Sequence, residues 1–479
     1  MDFKKNNLNK IFYTFIALHV LLFSLVALFR LILPLDSMEA IEWGALLDFG
    51  TNKHPPLSGW IVYFVYNIFK SDYAVYLLSQ LFIAFGFIYV HKCAKLFLDK
   101  TKAVLATLII MAGFIYSFIT AYEGFDPNII LMAFLPAVTY YFYKSINYNS
   151  TKDWLLLAVF SALSFLGKYQ SVMLFVPLFL YLIIEKNARK TFKNPKLYIC
   201  ASLAFLIVLP HIIWLFKTDF FSCQYFIHCE QKYEDFIQGG MKYIISPLKF
   251  IFEQFIAILS ILFIFFSAKL IFDRPVSFRK NCSSDCLFLL CAGVFPLLFQ
   301  ALPGLFNGAA LMSSWGYELL FMTGILLFYF IPFELNKKAI TYILSFILFA
   351  MITIFIVLSI VFATERTATN RFPIKYITNI LKEDFKNQTK TPLKYLAGYD
   401  RYTILLTLPQ NNLLADMECW GEKNPWLNYE TLEKNGFIIY ENIYSSWSQT
   451  VPSLQRALTE QSQYNEKEFE KSVSIIDVA

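Results

Sequence analysis

Runs of about twenty consecutive apolar residues recur along this chain, and they leave few options for its fold. A helix of about twenty residues crosses a hydrocarbon core about 30 Å thick, where every backbone amide must find its partner within its own helix. The first run, Ile11 to Leu33, is too long for a cleaved signal peptide and lacks a small-residue cleavage site, so it reads as a retained span. Hydrophobic residues make up 57% of the 479 positions and charged residues 16%, against about 25% charged in a soluble domain. The expectation is an α-helical polytopic membrane protein with about eleven spans.

The net charge of +6 does not point to nucleic acid, because no basic patch is interleaved with aromatics. The basic residues fall instead in short loops between apolar runs. Lys4, Lys5 and Lys10 precede the first span and place the N-terminus in the cytoplasm. Alternation then returns the loops holding Lys92 to Lys102, Lys144 and Lys152, Lys186 to Lys196, Arg274 to Lys280, and Lys337 and Lys338 to the same side. The loops assigned outside, around 121–128, 168–171 and 303–314, share a single basic residue, Lys168. Two larger outside segments are expected at about 34–72 and 216–246, the second followed by an interfacial helix from Pro247.

The transmembrane domain is expected over 1–363. From 364 to 479 the chain turns polar, with strand-like "YTILLTLP" (402–409) and "GFIIYEN" (436–442) and a Pro-led helix start at "VPSLQRALTEQ". A small C-terminal α/β domain outside the membrane is expected there. No internal repeat and no pair of broken apolar segments in matching halves points to a secondary transporter. Of the eight cysteines, Cys223 and Cys229 share an outside loop, where they are either a disulfide or two small apolar side chains.

Ionisable groups beside a membrane are expensive and are functional candidates for that reason. The stretch "LDSMEAIEWG" follows the first span and sets Asp36 and Glu39 three residues apart, on one face if the segment is helical. Two carboxylates sharing a face repel, which raises one of them toward the range of a general base. The other reading is a capping pair, with Asp36 as N-cap and Glu39 three residues on. Further along, "NKHPPL" fixes Lys53 and His54 ahead of a double proline, either as a phosphate contact or as interfacial side chains reaching for headgroups. Glu123 and Asp126 in "YEGFDPN", Lys168 in "FLGKYQ", His211 in "PHIIWL", His228 in "YFIHCE" and Trp315 in "SSWGYE" all fall on the outer side in this threading.

Together these motifs resemble the GT-C superfamily, specifically glycosyltransferase family 39 and the related lipid A aminoarabinose transferases. Members begin with a span, then an acidic Asp-Glu motif, then a segment of the form G-Y-x-x-H/K-P-P-L. A bacterial branch shows the Asp-x-x-Glu, Trp-Gly, Lys-His-Pro-Pro-Leu order found here. "FLGKYQSVMLF" and "PHIIWLFKTDF" are similar to later family segments, and the likeness runs to about residue 330.

The resemblance implies transfer of a sugar from a polyprenyl-phosphate carrier, with inversion and without a nucleotide sugar, to an acceptor on the outer side of the membrane. It makes Asp36 the catalytic acid/base group and Glu39 its assistant, although the family sets its Glu directly beside the Asp. His54 takes the place of a Lys near the carrier phosphate, Lys53 stands next to it, and Lys168 is implied as a phosphate clamp. The implied partners are an undecaprenyl-phosphate-linked donor, lipid A or another glycolipid as acceptor, and membrane lipids. The implied location is a bacterial inner membrane with the C-terminal domain periplasmic. A protein O-mannosyltransferase and a flippase for a polyprenyl-linked sugar are the alternatives. The cofactor is unknown: a divalent metal is possible, with His211, His228 and Glu123 as available ligands.

Overall fold

The computed structural model describes residues 5–30, 33–223, 240–279, 283–364, 374–393, 396–398, 437–442 and 473–478. Among them five helices are long and apolar enough to cross a membrane: Asn7–Phe29, Asp72–Phe97, Pro127–Tyr148, Pro195–Lys217 and Lys337–Thr364. Three more candidate spans are broken. Lys100–Ala112 and Ile115–Tyr122 meet at 64°, Lys242–Ala257 and Leu259–Phe272 at 54°, and Ser284–Gly293 and Phe295–Asn307 at 47°. The expectation of eleven also counts the short apolar run Tyr169–Ile184, whereas the equally short apolar helix Leu57–Phe69 falls in the segment expected outside. The chain is a multi-pass membrane protein.

Local chemistry sets the helix ends. Asp126 caps Pro127–Tyr148 by accepting from the Ile129 amide at 3.0 Å, and Pro127 occupies the first helical position, where no amide donor is needed. Asn194 and Pro195 open the helix Pro195–Lys217 in the same way. The first of these helices ends at Asn149, whose φ of 52° turns the chain into the antiparallel helix Thr151–Gly167. One break has a local cause: Gly113 interrupts the helical dihedrals, and a π-helical turn, Ile115–Ile119, follows it. The helix Lys242–Ala257 carries Pro247 inside it and exposes Ile244, Leu248, Phe252 and Phe255, an apolar face suited to an interface.

The chain divides into two compact units: Met1–Arg30, Phe49–Ser58 and Tyr73–Thr364 form one, and Leu31–Asp48, Gly59–Asp72 and Glu365–Ala479 form the other. In the first, helices approach backbone to backbone where side chains are small. A Cβ added at Gly324 would lie 1.9 Å from the Ala106 carbonyl oxygen. The helices Pro195–Lys217 and Lys337–Thr364 leave Phe205, Leu206, Phe349 and Ile352 exposed, as lipid contact requires.

The two ends of this helical unit differ in chemistry. At one end Lys196 Nζ donates to the Asn149 carbonyl at 2.7 Å, and Tyr143 OH on the helix Pro127–Tyr148 donates to Asp285 in the first turn of Ser284–Gly293 at 2.8 Å. There Asp273 accepts from Lys269 Nζ and the Glu334 amide, each at 2.6 Å. The loops poor in basic residues converge elsewhere and form the candidate site described below.

In the second unit, the helix Leu35–Leu46 crosses Leu57–Phe69 at paired glycines. A Cβ at Gly44 would meet the Gly59 carbonyl oxygen at 2.1 Å and Tyr63 Cβ at 2.2 Å. Trp60 Nε1 donates to the Asp48 carbonyl at 2.9 Å and ties the two segments again. Gly44→Ala is therefore expected to destabilise the protein by about 1–3 kcal/mol, the usual cost of overpacking. An unchanged thermal midpoint in detergent would show that the crossing can relax.

The C-terminal region contributes the helix Ile374–Thr389, with Thr378, Leu381 and Phe385 buried at helical spacing. Strands β1 (Leu396–Gly398), β2 (Phe437–Asn442) and β3 (Val473–Val478) form a parallel sheet in that order, with Leu396 opposite Ile438 and Phe437 opposite Val473. The expected strand 402–409 and the helix start at 451 lie outside the described residues.

Candidate active site

The acidic stretch is helical over Leu35–Leu46. Pro34 occupies the cap position and makes no side-chain capping bond, so Asp36 lies inside the first turn rather than capping it. That removes the capping-pair reading and leaves Asp36 and Glu39 one turn apart on a single helix. Their surroundings differ: Asp36 is exposed, whereas Glu39 is 3% exposed. A carboxylate in the first turn also meets the positive end of the helix dipole.

In the helical unit, Thr51 organises the next motif. Its Oγ accepts the amides of Lys53 (3.2 Å) and His54 (2.8 Å) and donates to the His54 carbonyl at 2.9 Å. The Thr51 amide bonds the same carbonyl at 3.0 Å, so the turn is closed from both sides before Pro55 and Pro56. Ser222 Oγ donates to the Thr51 carbonyl and His211 Nδ1 to the Phe49 carbonyl at 2.6 Å. Gly50 is required by a close approach: a Cβ there would sit 2.3 Å from the Trp214 ring.

His211 is spent on structure. Its Nδ1 carries the proton given to Phe49, so Nε2 is an acceptor, and Tyr169 OH donates to it at 2.9 Å. Neither nitrogen is left to hold a metal. Among the described residues no three His, Cys, Asp or Glu side chains gather as a metal site would need. His228 and Cys229 lie outside those residues, and Cys223 is a free thiol.

Lys168 terminates the helix Thr151–Gly167 and is 6% exposed. Its ammonium donates to Asn128 Oδ1 and lies 3.7 Å from Glu318 Oε1. Asn128 is oriented in turn by Asp126, which accepts from Nδ2 at 2.6 Å and so turns the amide oxygen toward Lys168. Asp126 thus acts on this cluster through Asn128 while capping its own helix. Glu123 closes the preceding turn, its amide bonding the Ile119 carbonyl at 2.8 Å. Trp315 packs on Phe250, Ala301 and Leu311.

His54 lies within electrostatic reach of the same lysine. Loss of hydration, then the positive charges of Lys168 and Lys53, push its pKa down to about 3. At neutral pH His54 is a neutral ring that can hydrogen-bond an anion but adds no charge, so the cations of this cluster are Lys53 and Lys168. Unfolding returns the imidazole to its ordinary 6.5. Between these values the unfolded chain holds the extra proton, so stability rises with pH through the window and is lost as the pH falls. The thermal midpoint is expected to drop from pH 7 to pH 5, by at most about 1.4 kcal/mol per pH unit from this group. His54→Gln should flatten that slope, and a variant that keeps it would place the titration elsewhere.

Sequence reasoning passed over Asn128, Tyr169 and Glu318. Only Glu318 carried a signal: an acid inside the apolar run "YELLFM".

Residues 53–214 match the family described as dolichyl-phosphate-mannose-protein mannosyltransferase. Among solved structures, ArnT from Cupriavidus metallidurans bound to undecaprenyl phosphate aligns with a TM-score of 0.57 at 12% identity, over 84% of this chain and 85% of that one. The fold is GT-C. The apo state of the same ArnT aligns over the same shares at 12% identity, with a TM-score of 0.56. The archaeal oligosaccharyltransferase AglB from Archaeoglobus fulgidus, in complex with an inhibitory peptide and a dolichol-phosphate, aligns at 0.43 and 12% identity, over 87% of this chain and 65% of that one. No curated protein matches the chain. The resemblance stated from the motifs is thus met by the family model over residues 53–214 and by the fold of ArnT. The family match contains Lys53, His54, Asp126, Lys168 and His211 but begins after Asp36 and Glu39.

Proposed function

We propose that this protein is an integral membrane glycosyltransferase that takes a sugar from a polyprenyl-phosphate carrier and passes it to an envelope acceptor at the outer face. The observation that carries this reading is the union of Lys53, neutral His54 and buried Lys168 in one cluster of a GT-C fold. A carrier phosphate leaves with developing negative charge, and cations and hydrogen-bond donors already in place lower the cost of that charge. ArnT, the solved relative, was captured with undecaprenyl phosphate, which supports a carrier of the same class.

On this reading Asp36, exposed on the helix Leu35–Leu46, is the base for a hydroxyl acceptor, and Glu39 supports it from its buried position. Glu123, His211 and Trp315 border the substrates rather than react, and His228 is assigned to substrate binding from its place in the sequence alone. Residues 1–363 form the transferase domain in a bacterial inner membrane, with the N-terminus cytoplasmic and a periplasmic domain over 364–479. Lipid A or another glycolipid is the preferred acceptor, since the outer loops are short.

Mass spectrometry of lipid A from cells with and without the gene tests this choice. A hexose or pentose increment lost with the gene supports it. The description of the matching family favours a protein acceptor as the second reading. Unchanged lipid A together with altered envelope glycoproteins would establish that reading instead. A flippase would move a labelled carrier-linked sugar across vesicles without breaking its phosphodiester.

A further inference from the structure

Glu318 lies on the 3-10 helix Ser313–Met322 with none of its surface exposed. Neither of its carboxylate oxygens has a hydrogen-bond partner among the described residues. Its ion-pair partner is Lys168, 3.7 Å away and itself buried. An ion pair built for stability alone closes to charge-assisted bonds of about 2.7–2.9 Å and satisfies the remaining lone pairs with further donors. This one does neither. The Lys168 ammonium makes its short hydrogen bond to Asn128 and stands 3.7 Å from Glu318.

We propose that Glu318 is a positioning residue for lipid-phosphate binding: its buried carboxylate holds the Lys168 side chain as a cation at the place where the anionic head of the carrier is met. This rests on the reading of Lys168 as the carrier-phosphate contact. The surroundings explain why such a device is needed. Lys168 and Lys53 both act on His54 of the Thr51 turn, and the hydrogen-bond neighbour of Lys168, Asn128, is a neutral amide held by Asp126. Tyr116, from the π-helical turn, faces Glu318 and supplies no positive charge. A buried ammonium releases its proton unless a counter-charge is near. Glu318 is that counter-charge, and because an ammonium carries three N–H donors, of which Asn128 takes one, donor capacity is left for an incoming phosphate.

The test uses the purified full chain in detergent and a fluorescent polyprenyl phosphate displaced by undecaprenyl phosphate, from pH 6 to pH 9. Each variant is compared with wild type at the same pH, which cancels the titration of the phosphate itself. Glu318→Gln is expected to bind like wild type at pH 6 and at least tenfold more weakly at pH 9. Adding Lys168→Arg should flatten the profile again, because a guanidinium stays charged without help. A Glu318→Gln profile that tracks wild type across the range overturns the proposal. Should that variant not fold, the double variant decides. Binding flat with pH and within about threefold of Lys168→Arg alone supports it, and loss of binding in a folded double variant overturns it. Failure of both to fold also overturns it, since the fold itself would then need the carboxylate. Wild-type protein that binds no undecaprenyl phosphate sinks the carrier reading instead, a result distinct from all of these.

Discussion

Asp36→Asn is expected to lower turnover by about 10²–10⁴-fold, the range a positioned general base contributes, while leaving the thermal midpoint and carrier affinity near wild type. The side chain is exposed in the first turn of Leu35–Leu46, so the amide fits without burying a polar group. The carrier phosphate is assigned to other residues, so its affinity reports binding independently of chemistry. Glu39→Gln should cost less turnover, because that side chain is buried and not at the surface where an acceptor arrives. The size of the Asp36 effect also reports on the acceptor. A hydroxyl must lose a proton and needs a base, whereas a phosphate on lipid A is already ionised and needs only orientation. A loss of under tenfold in an active preparation would point to an ionised acceptor and remove Asp36 from the proton-transfer step. Equal loss in Asp36→Asn and Asp36→Glu would show that placement matters more than charge.

The spans were legible because each is a local property: about twenty apolar residues with a capping residue and proline at the start, as at Asp126-Pro127 and Asn194-Pro195. The spacing of Asp36 and Glu39 was legible for the same reason, and the structure removed its alternative by starting the helix one residue before Asp36. The likeness of fold to ArnT followed from the order of short motifs. What could not be read was any contact between distant segments. Lys168 sits in a setting too apolar for an unpaired charge, but no periodicity reveals that Glu318 is its counter-ion or that Asn128 orients it. The charge state of His54 was hidden too, since it depends on which cations the fold brings beside the ring. The bend after Gly113 was equally invisible, because an apolar run reads the same whether the helix within it is straight or broken.

Lys168→Ala is expected to be the more damaging single change to the fold. It strands the Glu318 carboxylate, fully buried, with no counter-charge and no hydrogen bond. Removing one partner of a buried pair costs about 3–5 kcal/mol, far more than the pair itself contributes, because the remaining charge has already lost its water. Replacing both partners with apolar residues of similar size removes that penalty, so Lys168→Met with Glu318→Leu should recover most of the lost midpoint. The double variant should still fail to bind undecaprenyl phosphate, since the cation is gone. Stability and binding would then separate: two charges dispensable to the fold, one of them indispensable to the ligand. A double variant that stays as unstable as Lys168→Ala would mean that the pair, not its isolated survivor, is what the fold requires. Full carrier affinity in that variant would transfer the phosphate to Lys53 and His54, whose turn is closed by Thr51 independently of Lys168.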